Sequence, residues 1–208
     1  MHPNPLFRQA ETQQNLNFAR DRAFGILSIN GPDGPLLAHV PFLLNATGTH
    51  ADLHLVRSNP IIRALTEPQK AVIAISGPNG YISPDWYDMP DQVPTWNYIA
   101  VHLRGTLELL PDDQMRDMLD RQSAHFEDQL KPKTPWKTAK MPPEILDRMM
   151  RQILPCRMAI AQVDGTWKLG QNKTETARHR AAAQLQTGHI GTDTALLAAL
   201  MLAPTNGG

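Results

Sequence analysis

The chain has 208 residues, with 20 lysines plus arginines against 20 aspartates plus glutamates, so it can bury one good core and carries no net field to attract a polyanion. Its single cysteine, Cys156, excludes an internal disulfide and reads as a buried structural thiol. No run approaches the roughly 20 apolar residues that span a bilayer, and the first residues hold no apolar signal core, so a cytoplasmic location is the expectation.

In chain order, residues 11–22 read as an opening helix and Ala23 to Asn30 as a strand. Gly31-Pro-Asp-Gly-Pro supplies turn chemistry, and Leu36 to Leu44 returns as the second arm of a hairpin. Asp52 to Val56 is a third strand. Pro60 suits the first position of a helix, with Asn59 as its cap. Lys70 to Ser76, apolar on both faces, reads as a central strand. The clearest strand is Asn97 to Leu110, which puts Ile99, Val101, Leu103, Leu107 and Leu109 on one face. A helix follows Pro111, its apolar stripe broken only by Gln122, and another starts near Pro142. Met158 to Val163 and Trp167 to Leu169 read as a hairpin turning at Asp164-Gly165. A helix through the Ala181 run ends the ordered part, and residues 188–208 are expected to be a C-terminal tail. Many short strands, Gly/Pro turns and few intervening helices predict a mainly β, α+β fold, an antiparallel barrel decorated by helices. No Gly-x-Gly-x-x-Gly follows a strand, so a dinucleotide-binding fold is unsupported.

Three places hold candidate chemistry. Arg57-Ser58-Asn59-Pro60 brings a guanidinium and a hydroxyl to a strand-to-helix corner, which suits an anion or is simply a capped helix start. The run from Tyr81 to Tyr98 concentrates all three tyrosines and two of the four tryptophans in a proline-punctuated segment. Ser83, Trp96 and their neighbours then either present a stacking face to a flat ligand or pack over the barrel end. Trp167-Lys-Leu-Gly-Gln171-Asn either lines a site or is ordinary core followed by a cap. The histidines are scattered without a carboxylate cluster, so a metal site is rejected. Ser83 lies in no nucleophile elbow, and no helix suited to a DNA groove accompanies the basic segment Lys131 to Lys140.

These segments resemble the PaiB family, the FMN-binding-type negative transcriptional regulators of bacteria. The resemblance rests on Met1-His-Pro-Asn-Pro-Leu-Phe, His54-Leu-Val-Arg-Ser-Asn-Pro, Gly77-Pro-Asn-Gly-Tyr-Ile-Ser-Pro-Asp-Trp-Tyr, Val93-Pro-Thr-Trp-Asn-Tyr-Ile-Ala-Val-His-Leu-Arg-Gly, Thr134-Pro-Trp-Lys and Gly165-Thr-Trp-Lys-Leu-Gly-Gln-Asn-Lys, in order over about residues 1–180. It implies an antiparallel split β-barrel of the FMN-binding type over residues 1–187, usually a homodimer with FMN at the interface. On that resemblance His39, Val40 and Pro41 pass along the flavin ring and Arg57, Ser58 and Asn59 hold the phosphate; Ser83 and Trp96 of the aromatic segment join the candidate site on their own chemistry, with Trp96 or Trp167 expected to close over the ring. The partner subunit supplies a late tryptophan and a polar residue at the positions of Trp167 and Gln171. The chain departs from the family pattern at Val56 and Ser58, where alanines are usual, and after Asn172, where Lys-Thr-Glu-Thr-Ala-Arg replaces the usual arginine and Asp-Arg pair. The resemblance also implies a regulatory role, in which DNA contact is a family property and not one read from these residues. An FMN-dependent oxidoreductase and a haem-binding relative are the alternative expectations.

Overall fold

The computed structural model describes residues 1–188 and 190–204, and the chain divides into two compact units. Ala19–Ala74 and Leu103–Gln162 form one; Met1–Phe18, Ile75–His102 and the residues from Val163 onward form the other. The elements are α1 (Thr12–Arg22), β1 (Phe24–Gly31), β2 (Gly34–Pro41), β3 (Leu43–Leu44), β4 (His50–Val56), α2 (Pro60–Ala64), β5 (Gln69–Ile82) and β6 (Thr95–Leu109). After them come α3 (Met115–Glu127), α4 (Pro143–Met150), β7 (Ile153–Lys168), α5 (Glu175–Leu185), β8 (Gly191–Thr192) and α6 (Thr194–Leu202). The strand order is β2-β1-β5-β6-β7-β4-β3, with β8 on β5.

In the first unit β1 and β2 pair antiparallel from Phe24 opposite Pro41 to Gly31 opposite Gly34. Gly34 has a φ of 125°, which a side chain would resist and which closes the two-residue loop. Alternation along β1 buries Leu27 and Ile29 and leaves Ser28 and Asn30 outward. β4 runs antiparallel to β7, from His50 opposite Ala159 to Val56 opposite Ile153. Over this part of the sheet α3 buries Met115, Met118 and Gln122. Gln122, the break in the apolar stripe, hydrogen-bonds His54 of β4, whose imidazole burial pushes below its ordinary pKa. Asp52, buried on β4, accepts Arg157 Nε at 2.7 Å and Nη2 at 3.0 Å, and Arg121 Nη2 at 3.0 Å. Burial alone would raise the Asp52 carboxyl, but these hydrogen bonds outweigh it and hold the pKa below the usual value. Cys156 is buried, as expected, which pushes its thiol up to about 12.

The second unit has its own core, in which Ile82, Tyr87, Ile99, Trp167, Leu185 and Leu197 pack together. α5 starts at a threonine cap, Thr174 Oγ1 accepting from Ala177 N at 3.3 Å, and lies against α6. Three expectations change here. The central strand predicted to end at Ser76 continues to Ile82 as β5. The hairpin expected at Asp164-Gly165 is absent, because β7 is unbroken from Ile153 to Lys168. Gly165 serves a close approach instead of a turn: a Cβ there would lie 2.0 Å from Asn15 Oδ1. Within the expected tail, residues 190–204 hold β8 and α6, whose Leu197 and Met201 are fully buried, while His189 and residues 205–208 lie outside the described residues. A helix rich in Leu and Ala with no charge to pattern it gives no amphipathic signal, so periodicity missed it.

Candidate functional site

The Arg57 corner lies in the first unit, where β4 ends and α2 begins. Asn59 N donates to Val56 O at 2.9 Å, Pro60 has no N–H, and Ile61 N donates to the Asn59 side chain at 2.9 Å, so Asn59 acts as a cap and takes part of the donor set of the helix start. Side chains add to the corner. Arg57 is 46% exposed, donates Nε to Arg151 O at 2.6 Å, and pairs through Nη2 with Asp112 Oδ2 at 2.8 Å. The carboxylate itself is 68% exposed, so the pair sits in water and is weak. Ser58 is exposed beside it. The guanidinium opens on a cleft of about 330 Å³ whose wall includes Asp112, Asp113, Arg116, Asp147 and Arg151.

β2 stands at one end of the strand order, so one of its edges forms no ladder among the described residues. His39 is exposed on it with its ring 6.4 Å from Phe24, Val40 is buried, and Pro41 is half-buried. An open strand edge offers backbone N–H and C=O groups to a flat polar ring. Beside it Phe24 and Leu37 are 53% and 61% exposed, an apolar surface no other described element covers. A wider depression of about 410 Å³ around Lys70 and Arg104 contains none of the expected site residues.

The aromatic segment belongs to the second unit and divides into two kinds of residue. Tyr87 is core and Trp86 packs against that core. Trp96 is 41% exposed, donates Nε1 to Asn79 Oδ1 at 3.2 Å, and meets Tyr81 edge-on with centroids 6.4 Å apart. That hydrogen bond fixes the indole and leaves it accessible for stacking. Ser83 is half-buried at the head of the 3-10 turn Pro84–Tyr87 and caps nothing with its side chain. Trp167 is 8% exposed, donates Nε1 to Asn15 Oδ1 at 2.8 Å, and packs edge-on to Phe18, so it is core. Gln171 spends both amide atoms locally, accepting from Leu169 N at 2.8 Å and donating to Trp167 O at 2.5 Å.

Within the first unit the structure thus brings together Arg57 and Ser58, and places His39, Val40 and Pro41 along an open edge. Within the second it leaves Trp96 as the accessible tryptophan. Sequence reasoning missed Asp112, Asn79 and Asn15. Asp112 was legible only as part of a helix opening, 55 residues from its arginine.

An antiparallel sheet with helices, an arginine at a strand-to-helix corner and an open strand edge define a split β-barrel of the flavin-binding class. Residues 1–162 match the family described as "Putative FMN-binding domain", and the chain belongs to that family. It is 27% identical over 188 residues, covering 89% of each chain, to the protease synthase and sporulation protein PAI 2 of Bacillus subtilis. Among solved structures it resembles the FAD and heme binding protein of Mycobacterium smegmatis, with TM-score 0.60, 16% identity, and coverage of 89% of this chain and 82% of that one. It also resembles the flavocytochrome Anf3 of Azotobacter vinelandii, with TM-score 0.57, 13% identity, and coverage of 80% and 72%. These likenesses show the fold.

Proposed function

We propose that the protein binds FMN at the interface of a homodimer, with Arg57 and Ser58 taking the phosphate, the β2 edge at His39, Val40 and Pro41 lying beside the ring, and Trp96 closing over it from the partner. The observation that carries this reading is the accessible Arg57 guanidinium opening on a cleft in a chain of the FMN-binding family. The donor set suits the group: a planar fork and a hydroxyl match phosphate oxygens, and an open strand edge matches the carbonyls and N–H of an isoalloxazine. The apolar Phe24 and Leu37 support a second copy covering the same surface. Bound FMN would supply an electron-accepting ring. Arg57 and Ser58 anchor its charged end, the β2 edge orients its polar atoms, and an indole excludes water from one face. The role we assign is that of the PaiB family, negative regulation of transcription in the cytoplasm. A formal charge of zero favours action through a partner protein over a broad electrostatic grip on DNA.

The test is a titration of the full chain with FMN, followed by flavin fluorescence. Arg57→Ala should lose roughly 1.5–3 kcal/mol of FMN affinity, one charge-assisted contact, with an unchanged unfolding midpoint. Unaltered affinity in that variant removes the reading. The spectrum of the freshly purified protein separates flavin from haem, and a salt-sensitive shift of promoter DNA would favour direct DNA contact.

A further inference from the structure

We propose that the phosphate is held by two arginines, Arg57 and Arg151, and that Asp112 competes with it for the Arg57 guanidinium. The inference rests on the FMN reading above and names two residues that reading does not use. Arg151 follows α4, is exposed, and is one of the residues lining the cleft, and its carbonyl accepts Arg57 Nε at 2.6 Å, which keeps the two arginines side by side. One terminal nitrogen, Arg57 Nη2, donates to Asp112 Oδ2 at 2.8 Å, so an incoming phosphate competes with that carboxylate for it. Of the other charges on the cleft, Arg116 is committed to Asp120 at 3.1 Å and to Thr138 Oγ1 at 2.8 Å. Asp113 and Asp147 are carboxylates and repel an anion. Arg151 is thus the second cation with a fork to give.

A carboxylate carries one charge and two oxygens, whereas a phosphate monoester near neutral pH carries close to two charges and three oxygens. The phosphate therefore wins the Arg57 fork from an exposed carboxylate, at the cost of breaking a weak ion pair. The Arg57 Nε bond to a backbone carbonyl survives the exchange, so the guanidinium keeps its aim while its partner changes. Asp112 lowers affinity for any anion at this corner and leaves a neutral flavin unaffected, which makes the cofactor exchangeable.

The experiment compares FMN with riboflavin, which lacks the phosphate, on the full chain and on Arg57→Ala, Arg151→Ala, Arg151→Lys and Asp112→Asn, with unfolding followed in parallel. Arg151→Ala should weaken FMN about tenfold and Arg151→Lys should recover part of it, the loss of one charged hydrogen bond and the return of its charge. Asp112→Asn should tighten FMN roughly two- to fivefold, the strength of an exposed pair, and slow its release. Riboflavin affinity should not move in any of them. If Arg57→Ala loses FMN while Arg151→Ala or Asp112→Asn matches the parent, or if riboflavin falls in parallel, the two-arginine site is wrong and the Arg57 reading stands. If Arg57→Ala binds FMN normally, the Arg57 reading itself is wrong.

Discussion

Asp52 and Asp112 each meet an arginine at hydrogen-bonding distance, yet the two contacts do different work. Asp52 is 1% exposed and takes two guanidiniums, one of them bidentate, across β4, β7 and α3. Asp112 is 68% exposed and takes one terminal nitrogen of Arg57. Water screens the second pair but does not reach the Asp52 carboxylate of the first, so the buried carboxylate holds elements together while the exposed one is a partner that can be exchanged. Surroundings, more than residue type, separate an arginine that organises the fold from one available to a ligand.

The largest effect expected comes from breaking the buried contact. Asp52→Ala takes the shared carboxylate from Arg157 and leaves Arg121 with Asp117 alone, and should cost about 2–3 kcal/mol in denaturant unfolding, below the figure for fully dry pairs because both arginines are partly exposed. A loss no larger than that of Asp112→Ala would erase the contrast. The same contact contributes to the acid limit of the fold. Asp52 has a folded pKa below its ordinary 3.8, and His54 one below 6.5, so in both cases the unfolded chain binds more protons. As pH falls, stability should therefore decline first below 6.5 as His54 is forced to protonate, and again below about pH 4 as Asp52 does, with Asp120 and Glu127, also held below their ordinary values, adding to that second step. Thermal melts across that range should show a smaller second step when Asp52 is replaced by Asn.

Alternation and turn chemistry made the β1–β2 hairpin, β4 and β6 legible, since period-two burial leaves its mark on the residues themselves. β7 was read as two strands because Asp-Gly usually turns; here the glycine is required by Asn15, a neighbour distant in sequence. α6 was invisible for the opposite reason, having no polar face to set a period. At the site, sequence identified Arg57 and Trp96 as residue types with the right chemistry. It did not reveal that Asp112 stands on the guanidinium, because that depends on a contact between segments 55 residues apart.

The two tryptophans named as candidate lids repeat the contrast on a smaller scale. Trp167→Phe removes the indole N–H and leaves Asn15 Oδ1 buried without that donor, with an expected cost of about 1–2 kcal/mol. Trp96→Phe loses a partly solvated bond to Asn79 on an exposed ring and should stay within about 0.5 kcal/mol of the parent. Ligand binding should show the reverse order. FMN should quench Trp96 emission by direct contact, so Trp96→Phe should lose most of the flavin-dependent quenching, while Trp167→Phe keeps it. Equal quenching in both variants would mean that Trp96 does not face the ring, and another side chain would have to close the site.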